Sequence, residues 1–282
     1  MQGGLIPSLR ILKSEVRALL KMIHIDKSFN IGTINEKKVL NDLNLTINDG
    51  DFITVIGGNG AGKSTMLNTI AGVCKAEGGR IILDGRDITY KSETDRARYI
   101  GRVFQDPMMG TAPTMMIEEN LAMAYRRTKK RGLGWGISAG EREIYRRELA
   151  QLGLGLEDRM STKVGLLSGG QRQAVTLLMA TLQKPKLLLL DEHTAALDPA
   201  TSAKVLELSD KIVKENNLTA LMVTHNMQNA IDYGNRLIMM DGGRIILDIS
   251  GEEKKRLTIE VLLKKFESIS GGKFTTDSVL LG

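Results

Sequence analysis

The stretch Gly57-Gly58-Asn59-Gly60-Ala61-Gly62-Lys63-Ser64-Thr65 constrains this chain more than any other. It follows a short apolar run, DFITVIG, and precedes a helix-like segment. The pattern G-x-x-x-x-G-K-[ST] between a strand and a helix is that of a loop wrapped around an anion. Successive backbone N–H groups form a nest there, and the N-terminus of the following helix adds partial positive charge. Glycines let the main chain approach the anion without side-chain obstruction. In such a loop Lys63 reaches the β- and γ-phosphates of a nucleotide, and the Ser64 hydroxyl binds Mg²⁺. An accidental glycine-rich turn would not set strand, loop, Lys-Ser and helix in this order.

The rest of the chain supplies a frame. KMIHI and LNLTI alternate as strands, with the polar NIGTINEKKVL between them as a hairpin or loop; GRIILDGRDI and RYIGRVFQ are also strand-like. From about 115 to 160 the spacing turns helical, and Ser138 to Glu141 reads as a capping box opening a helix that Gly153 closes. Beyond 166 helices and strands alternate: GGQRQAVTLLMATLQ, KLLLLDE, PATSAKVLELSDKIVKEN, TALMVTH, NMQNAIDYG and a strand NRLIMMDGGRIILD. That alternation predicts a parallel sheet with right-handed crossovers. In LLLLDE, Asp191 ends a buried strand within reach of the Mg²⁺ shell, and Glu192 is placed to polarise an attacking water. A second acid beside the first suits hydrolysis. The lack of an Asn-Lys-x-Asp guanine-reading motif argues against a GTPase.

Composition sets outer bounds. The 282 residues can bury a large core. No apolar run approaches the roughly 18 residues of a membrane span, and the N-terminus lacks a signal peptide's apolar stretch. The single cysteine, Cys74, rules out an internal disulfide, as expected in a reducing cytosol. A net charge of +6 is compatible with an anionic partner but does not require one. Residues 1–21 read as a separate amphipathic extension, with Leu5, Leu9, Leu12, Val16, Leu19 and Ile23 on one helical side. It is either a membrane-surface helix or a loosely attached stretch upstream of a domain starting at Met22.

The LLSGGQRQ stretch raises a further question, because a Ser-Gly-Gly helix start is itself an anion site, one with no lysine or metal ligand. With this motif the chain resembles the nucleotide-binding subunit of an ABC transporter. The motifs that carry the resemblance run in the family's order over about 24–247. They are Gly57–Thr65, Gln105 in VFQDP, Leu167-Ser168-Gly169-Gly170-Gln171, Asp191-Glu192, Ala196-Leu197-Asp198 and His225 in VTHN. The resemblance implies an α/β P-loop NTPase: a RecA-like, mainly parallel core, an antiparallel β subdomain and an α-helical subdomain at about 106–165. It places the ATPase domain at 22–257 and a C-terminal helix and tail at 258–282.

The resemblance also implies roles. ATP and Mg²⁺ are the ligands; Gly57, Asn59, Gly60, Gly62, Lys63, Ser64 and Thr65 cradle the phosphates. Ser64, Gln105 and Asp191 attend the metal. Glu192 is catalytic, with His225 on the γ-phosphate and Gln105 sensing Mg²⁺ and the attacking water. Ser168, Gly169, Gly170 and Gln171 contact the γ-phosphate held by a second subunit, and Asp198 crosses the seam. Phe29 in DKSFN stands where an aromatic stacks on adenine, or else is core. Departures from the common pattern are Gly58, His193 after the catalytic acid, which could perturb the site's pH response or be a tolerated loop substitution, and Ala174 where a second arginine usually stands.

The partners implied are a second ATP-binding subunit in a homodimer, separate transmembrane permease subunits and an extracytoplasmic substrate-binding protein, with no nucleic acid. The place implied is the cytoplasmic face of the membrane, and the texture is that of an importer, amino acids being one cargo class. The alternative is a soluble ABC ATPase of the iron–sulfur assembly type. Met108, Met109, Met115 and Met116 follow Gln105 closely and form either an adaptable groove for the permease or interior gap-filling. The basic YRRTKKRG run reads as a solvated face.

Overall fold

The computed structural model describes residues 17–127 and 136–270. In chain order its strands and helices are β1 (Ala18–Phe29), β2 (Lys37–Asn48), β3 (Phe52–Ile56), α1 (Lys63–Ala71), β4 (Gly78–Leu83), β5 (Arg86–Asp87), α2 (Glu93–Arg96) and β6 (Ile100–Val103). There follow α3 (Ile117–Arg126), α4 (Ala139–Ala150), α5 (Gly169–Thr181), β7 (Leu187–Asp191), α6 (Pro199–Glu215), β8 (Thr219–Val223), α7 (Met227–Asp232), β9 (Arg236–Asp241), β10 (Arg244–Ser250), α8 (Gly251–Lys255) and α9 (Ile259–Ser270).

Two sheets result. One is antiparallel, β2-β1-β4-β5; the other runs β10-β9-β3-β8-β7-β6 and is parallel from β9 to β6. FITVI and TALMV are buried at every position, and so are the four leucines of β7, as strands covered on both faces must be. The hydroxyl of the one polar residue in β3, Thr54, donates to the Ala230 carbonyl at 2.7 Å. A separate apolar cluster joins Ile117 and Leu121 of α3, Tyr145 and Leu149 of α4, and Ala174, Val175 and Leu178 of α5. The chain is therefore an α/β P-loop fold with an antiparallel layer and a helical layer, as expected.

Several local expectations change. Strand β1 begins at Ala18, not Met22, because Leu20 pairs with both Ile47 and Leu83 and is fully buried. Leu19 and Ile23 thus belong to a sheet, and the rest of the proposed amphipathic stripe lies outside the described residues. The Asp241-Gly242-Gly243-Arg244 stretch is a tight turn, with Gly242 and Gly243 at φ 52° and 77°, so NRLIMMDGGRIILD is a hairpin instead of one strand. The C-terminal helix, α9, packs on the sheet domain, with Leu262 and Phe266 buried beside Met227, Met239 and Ile249. The capping box at Ser138 forms as expected: Ser138 Oγ accepts from the Glu141 N–H, and Glu141 Oε2 accepts from the Ser138 N–H. Much of the YRRTKKRG run lies outside the described residues.

Candidate active site

The parallel strands deliver the site. The phosphate loop leaves the carboxyl end of β3, His225 follows β8, Asp191 and Glu192 end β7, and Gln105 follows β6. Since β3, β8, β7 and β6 are consecutive neighbours, four chain-distant segments meet along one sheet edge, where open α/β sheets bind ligands.

Within the loop, Gly57 and Gly62 have positive φ (150° and 100°). A Cβ at Gly57 would stand 2.2 Å from the Met240 carbonyl oxygen, and one at Gly62 2.8 Å from that of Val39. Neither position accepts a side chain. No side chain caps the start of α1, so its first amides stay available to an anion. The Lys63 ammonium donates to the Gly57 and Gly58 carbonyls at 2.7 and 3.1 Å. Burial lowers its pKa, while the nearby Glu192 and Asp191 carboxylates oppose that shift.

Ser64 Oγ donates to Asp191 Oδ1 at 3.3 Å. A hydroxyl and a carboxylate so close form a hard-oxygen pair suited to Mg²⁺, which takes one or two protein ligands and fills its shell with phosphate oxygens and water. No cluster of three or more His, Cys, Asp or Glu side chains suited to a metal occurs among the described residues. Gln105 is exposed and makes no side-chain hydrogen bond to Ser64 or Asp191. The candidate metal group is therefore assembled only in part.

Glu192 occupies the left-handed region at φ 43°, its amide donating to the Val223 carbonyl at 3.1 Å. Such a conformation costs a non-glycine residue about 1 kcal/mol or more and persists where surroundings impose it. It aims the carboxylate at His225, whose Nδ1 lies 3.9 Å from Oε2. The next residue, His193, is buried, and its Nε2 meets Ser209 Oγ on α6 at 2.9 Å. Ser209 Oγ donates to the Val205 carbonyl, so the ring nitrogen donates to Ser209. Burial drives the His193 pKa to about 4.

His193 therefore stays neutral at physiological pH and does not tune the site there. Its effect falls on acid stability. The unfolded histidine takes a proton near 6.5 and the folded one only near 4, so between these values the unfolded state holds more protons and stability falls as pH falls. Replacing His193 with Gln should flatten that decline by up to about 3 kcal/mol between pH 6.5 and 4, as read by urea unfolding. Equal pH slopes in the two proteins would show that His193 does not carry the effect.

The signature segment lies apart. Ser168 Oγ accepts from the Gln171 N–H at 3.3 Å while Gln171 Oε1 accepts from the Ser168 N–H at 3.2 Å, a capping box at the head of α5. Its glycines face α6 and the residues just before it: a Cβ on Gly170 would be 2.2 Å from Thr201 Cγ2, and one on Gly169 3.0 Å from Leu197 Cδ2. Asp198 caps α6 through the Thr201 N–H at 3.1 Å, and these bonds lower its pKa. No hydrogen bond joins Ser168–Gln171 to the phosphate loop among the described residues. Phe29 is exposed, with Lys27 Nζ 5.1 Å from its ring centre, so it is not a core aromatic. Asn59, Gly60 and Thr65 lie on the loop and the first turn of α1.

Ala174 is buried among the helical apolar residues, a place with no room for arginine's charge. Two residues escaped the sequence reading. Gln173 is fully buried, its Nε2 donating to the Phe104 carbonyl at 3.2 Å and so tying α5 to the segment before Gln105. Arg102 on β6 ion-pairs with Asp191 at 3.2 Å. No spacing rule marks either. A cavity of about 1050 Å³ beside α7 and α8 contains none of these groups, and its buried Lys254 already donates to the Ile231, Tyr233 and Gly234 carbonyls.

Strand order, phosphate loop and the acidic end of β7 together define a P-loop nucleotide hydrolase. Residues 40–195 match the sequence profile of the family described as ABC transporter. A tyrosine transport ATP-binding protein of Clostridioides difficile is 45% identical over 249 residues, 88% of this chain and 99% of that protein. A spermidine/putrescine import ATP-binding protein of Haemophilus ducreyi is 35% identical over 237 residues, 84% of this chain but 59% of that longer protein. Among solved structures, a dimeric ATP-binding cassette in a post-hydrolysis state with ADP and Pi aligns at TM-score 0.71 and 29% identity, covering 82% of this chain and 98% of that one. An ATP-binding cassette of an ABC transporter in its ADP conformation aligns at 0.72 and 29%, covering 91% and 99%. The chain belongs to the ABC transporter family as an ATP-binding, ATP-hydrolysing subunit.

Proposed function

We propose that this subunit works as a homodimer around two ATP molecules and powers an importer whose permease is a separate polypeptide. The observation carrying this reading is the detached signature segment. At this helix start Ser168 and Gly169 are exposed, in a geometry suited to an anion, and among the described residues no hydrogen bond joins Ser168–Gln171 to the chain's own phosphate loop. Such a half-site gains little alone, but ATP held between one chain's loop and the other's signature binds both chains together. Hydrolysis then weakens the association.

Within each site, Lys63 and the loop amides would hold the β- and γ-phosphates, and Phe29 would stack on adenine. Ser64, Asp191 and Gln105 would hold Mg²⁺, which supplies charge neutralisation at the phosphates when bound. Glu192 would take the proton of the attacking water, His225 would hold the γ-phosphate and steady Glu192, and Asp198 would line the seam. The import direction rests on the names of the relatives, and the tyrosine protein points to amino acids as cargo. No described helix is long and apolar enough to cross a membrane. An extracytoplasmic binding protein would deliver the cargo, and this subunit would sit on the cytoplasmic face.

The docking surface proposed for the permease is the methionine segment. Met108 and Met109 are exposed, not interior, and a cleft of about 300 Å³ beside them is lined by Met109, Met123 and Met179. Thr176, Met179 and Ala180 of α5 line the cleft, so it touches the signature helix directly, and Arg172 of the same helix donates to Met108 Sδ at 2.8 Å. Replacing Met108 and Met109 together with serine should leave ATP hydrolysis by the isolated subunit within about twofold and abolish ATP-driven uptake in the assembled transporter. Uptake still coupled to hydrolysis in that variant would refute the docking assignment.

A further inference from the structure

Arg102 lies one strand from the carboxylate proposed for the metal, and the reading above gives it no task. Its Nη2 donates to Asp191 Oδ2 at 3.2 Å and to Asn68 Oδ1 on α1 at 2.6 Å. The guanidinium carbon stands 4.5 Å from the centre of the Phe104 ring. Its Nε is buried and has no hydrogen-bond partner among the described residues. Both Arg102 and Asp191 side chains are 13% exposed, so their charges are poorly screened.

The two oxygens of Asp191 thus face different groups: Oδ1 meets the Ser64 hydroxyl, Oδ2 the fixed cation. The backbone of Arg102 is already held by the β6–β7 ladder, opposite Leu189, and does not need its side chain for that. The strongest arginine–carboxylate pairs are bidentate, with two guanidinium nitrogens donating to the two carboxylate oxygens. Here Nη2 alone serves both acceptors, Asp191 Oδ2 and Asn68 Oδ1, and among the described residues Nε serves none, so the pairing with Asp191 is one long hydrogen bond plus the attraction of two poorly screened charges.

We infer that Arg102 is a resident counter-ion of Asp191: it balances and orients the carboxylate in the nucleotide-free protein and opposes the divalent cation that arrives with ATP. This rests on the Mg²⁺ reading of Ser64 and Asp191. The Phe104 face gives the guanidinium a resting surface as the new cation takes over the carboxylate. Arg102 is in this account a positioning residue. Its consequence is a metal site set weaker than its ligands alone would make it, so that metal enters with nucleotide and not before.

The test titrates Mn²⁺ by electron paramagnetic resonance into the full chain with a non-hydrolysable ATP analogue. Arg102→Met should bind Mn²⁺ roughly tenfold more tightly than wild type, the scale of removing one like charge a few ångströms away in a partly buried site. Arg102→Gln, also neutral, should show the same gain, while Arg102→Lys, which keeps the charge, should stay within about threefold of wild type. Nucleotide-free thermal stability should drop in the neutral variants and recover most of the difference with Mn²⁺ and analogue bound. Unchanged or weaker Mn²⁺ affinity in a folded neutral variant that still binds the analogue would overturn the inference. Failure of the wild type itself to bind the analogue would instead strike the nucleotide reading beneath it.

Discussion

Glu192→Gln is expected to slow ATP hydrolysis by about a hundredfold or more while leaving ATP binding intact. The size follows from what a positioned general base contributes, roughly 10² to 10⁴ in rate. An amide keeps the shape of the side chain but cannot take a proton from water. The fold has little reason to change, because the left-handed backbone at Glu192 is imposed by the Val223 carbonyl and by the neighbouring buried His193–Ser209 bond, neither of which uses the carboxylate. His225, 3.9 Å away, keeps a polar neighbour of the same shape. Phosphate release by the purified variant measures the effect. A rate within threefold of wild type would remove Glu192 from the role of base.

Lys63→Met should act on the opposite step. The ammonium is the only side-chain cation that the loop itself supplies, and it donates to the Gly57 and Gly58 carbonyls. A bound polyphosphate would replace those neutral acceptors with charged ones, worth about 1.5–3 kcal/mol per hydrogen bond. Losing them should weaken ATP binding by about a hundredfold, as read by titration with a fluorescent nucleotide. Stability should change little, because burial already disfavours this ammonium and a methionine fills the same stem volume without that cost. An ATP affinity within twofold of wild type would contradict the assignment.

Much of this site was legible because each grip is local. Gly57 to Thr65 needs only nine consecutive residues, and the positive φ at Gly57 and Gly62 is what their glycines foretell. Asp191 was placed by four leucines that had to form a doubly covered strand. The Asp-Gly-Gly turn after Met240 was also visible, yet the apolar residues on both sides masked the reversal as one strand. What the sequence hid is long-range. Arg102 meets Asn68 and Asp191 only because β6 and β7 are neighbours, and Gln173 reaches Phe104 across two elements. A charged or amide side chain in a strand or helix carries no local sign of the partner that the fold brings to it. The start of β1 was missed for a related reason. Leu19 and Ile23 fit a helical stripe with the residues before them, and only pairing with β2 and β4 decides for a strand.

In the proposed cycle ATP joins two copies of this chain, each phosphate loop completed by the other's Ser168–Gln171. The most direct measurement of this is the mass of the Glu192→Gln protein in solution, by light scattering, with and without Mg·ATP. The prediction is one chain without nucleotide and two chains with two ATP bound when it is present, with Ser168→Arg in the same protein abolishing the shift but not ATP binding. A mass that stays at one chain in saturating Mg·ATP, with the nucleotide shown to be bound, would contradict it.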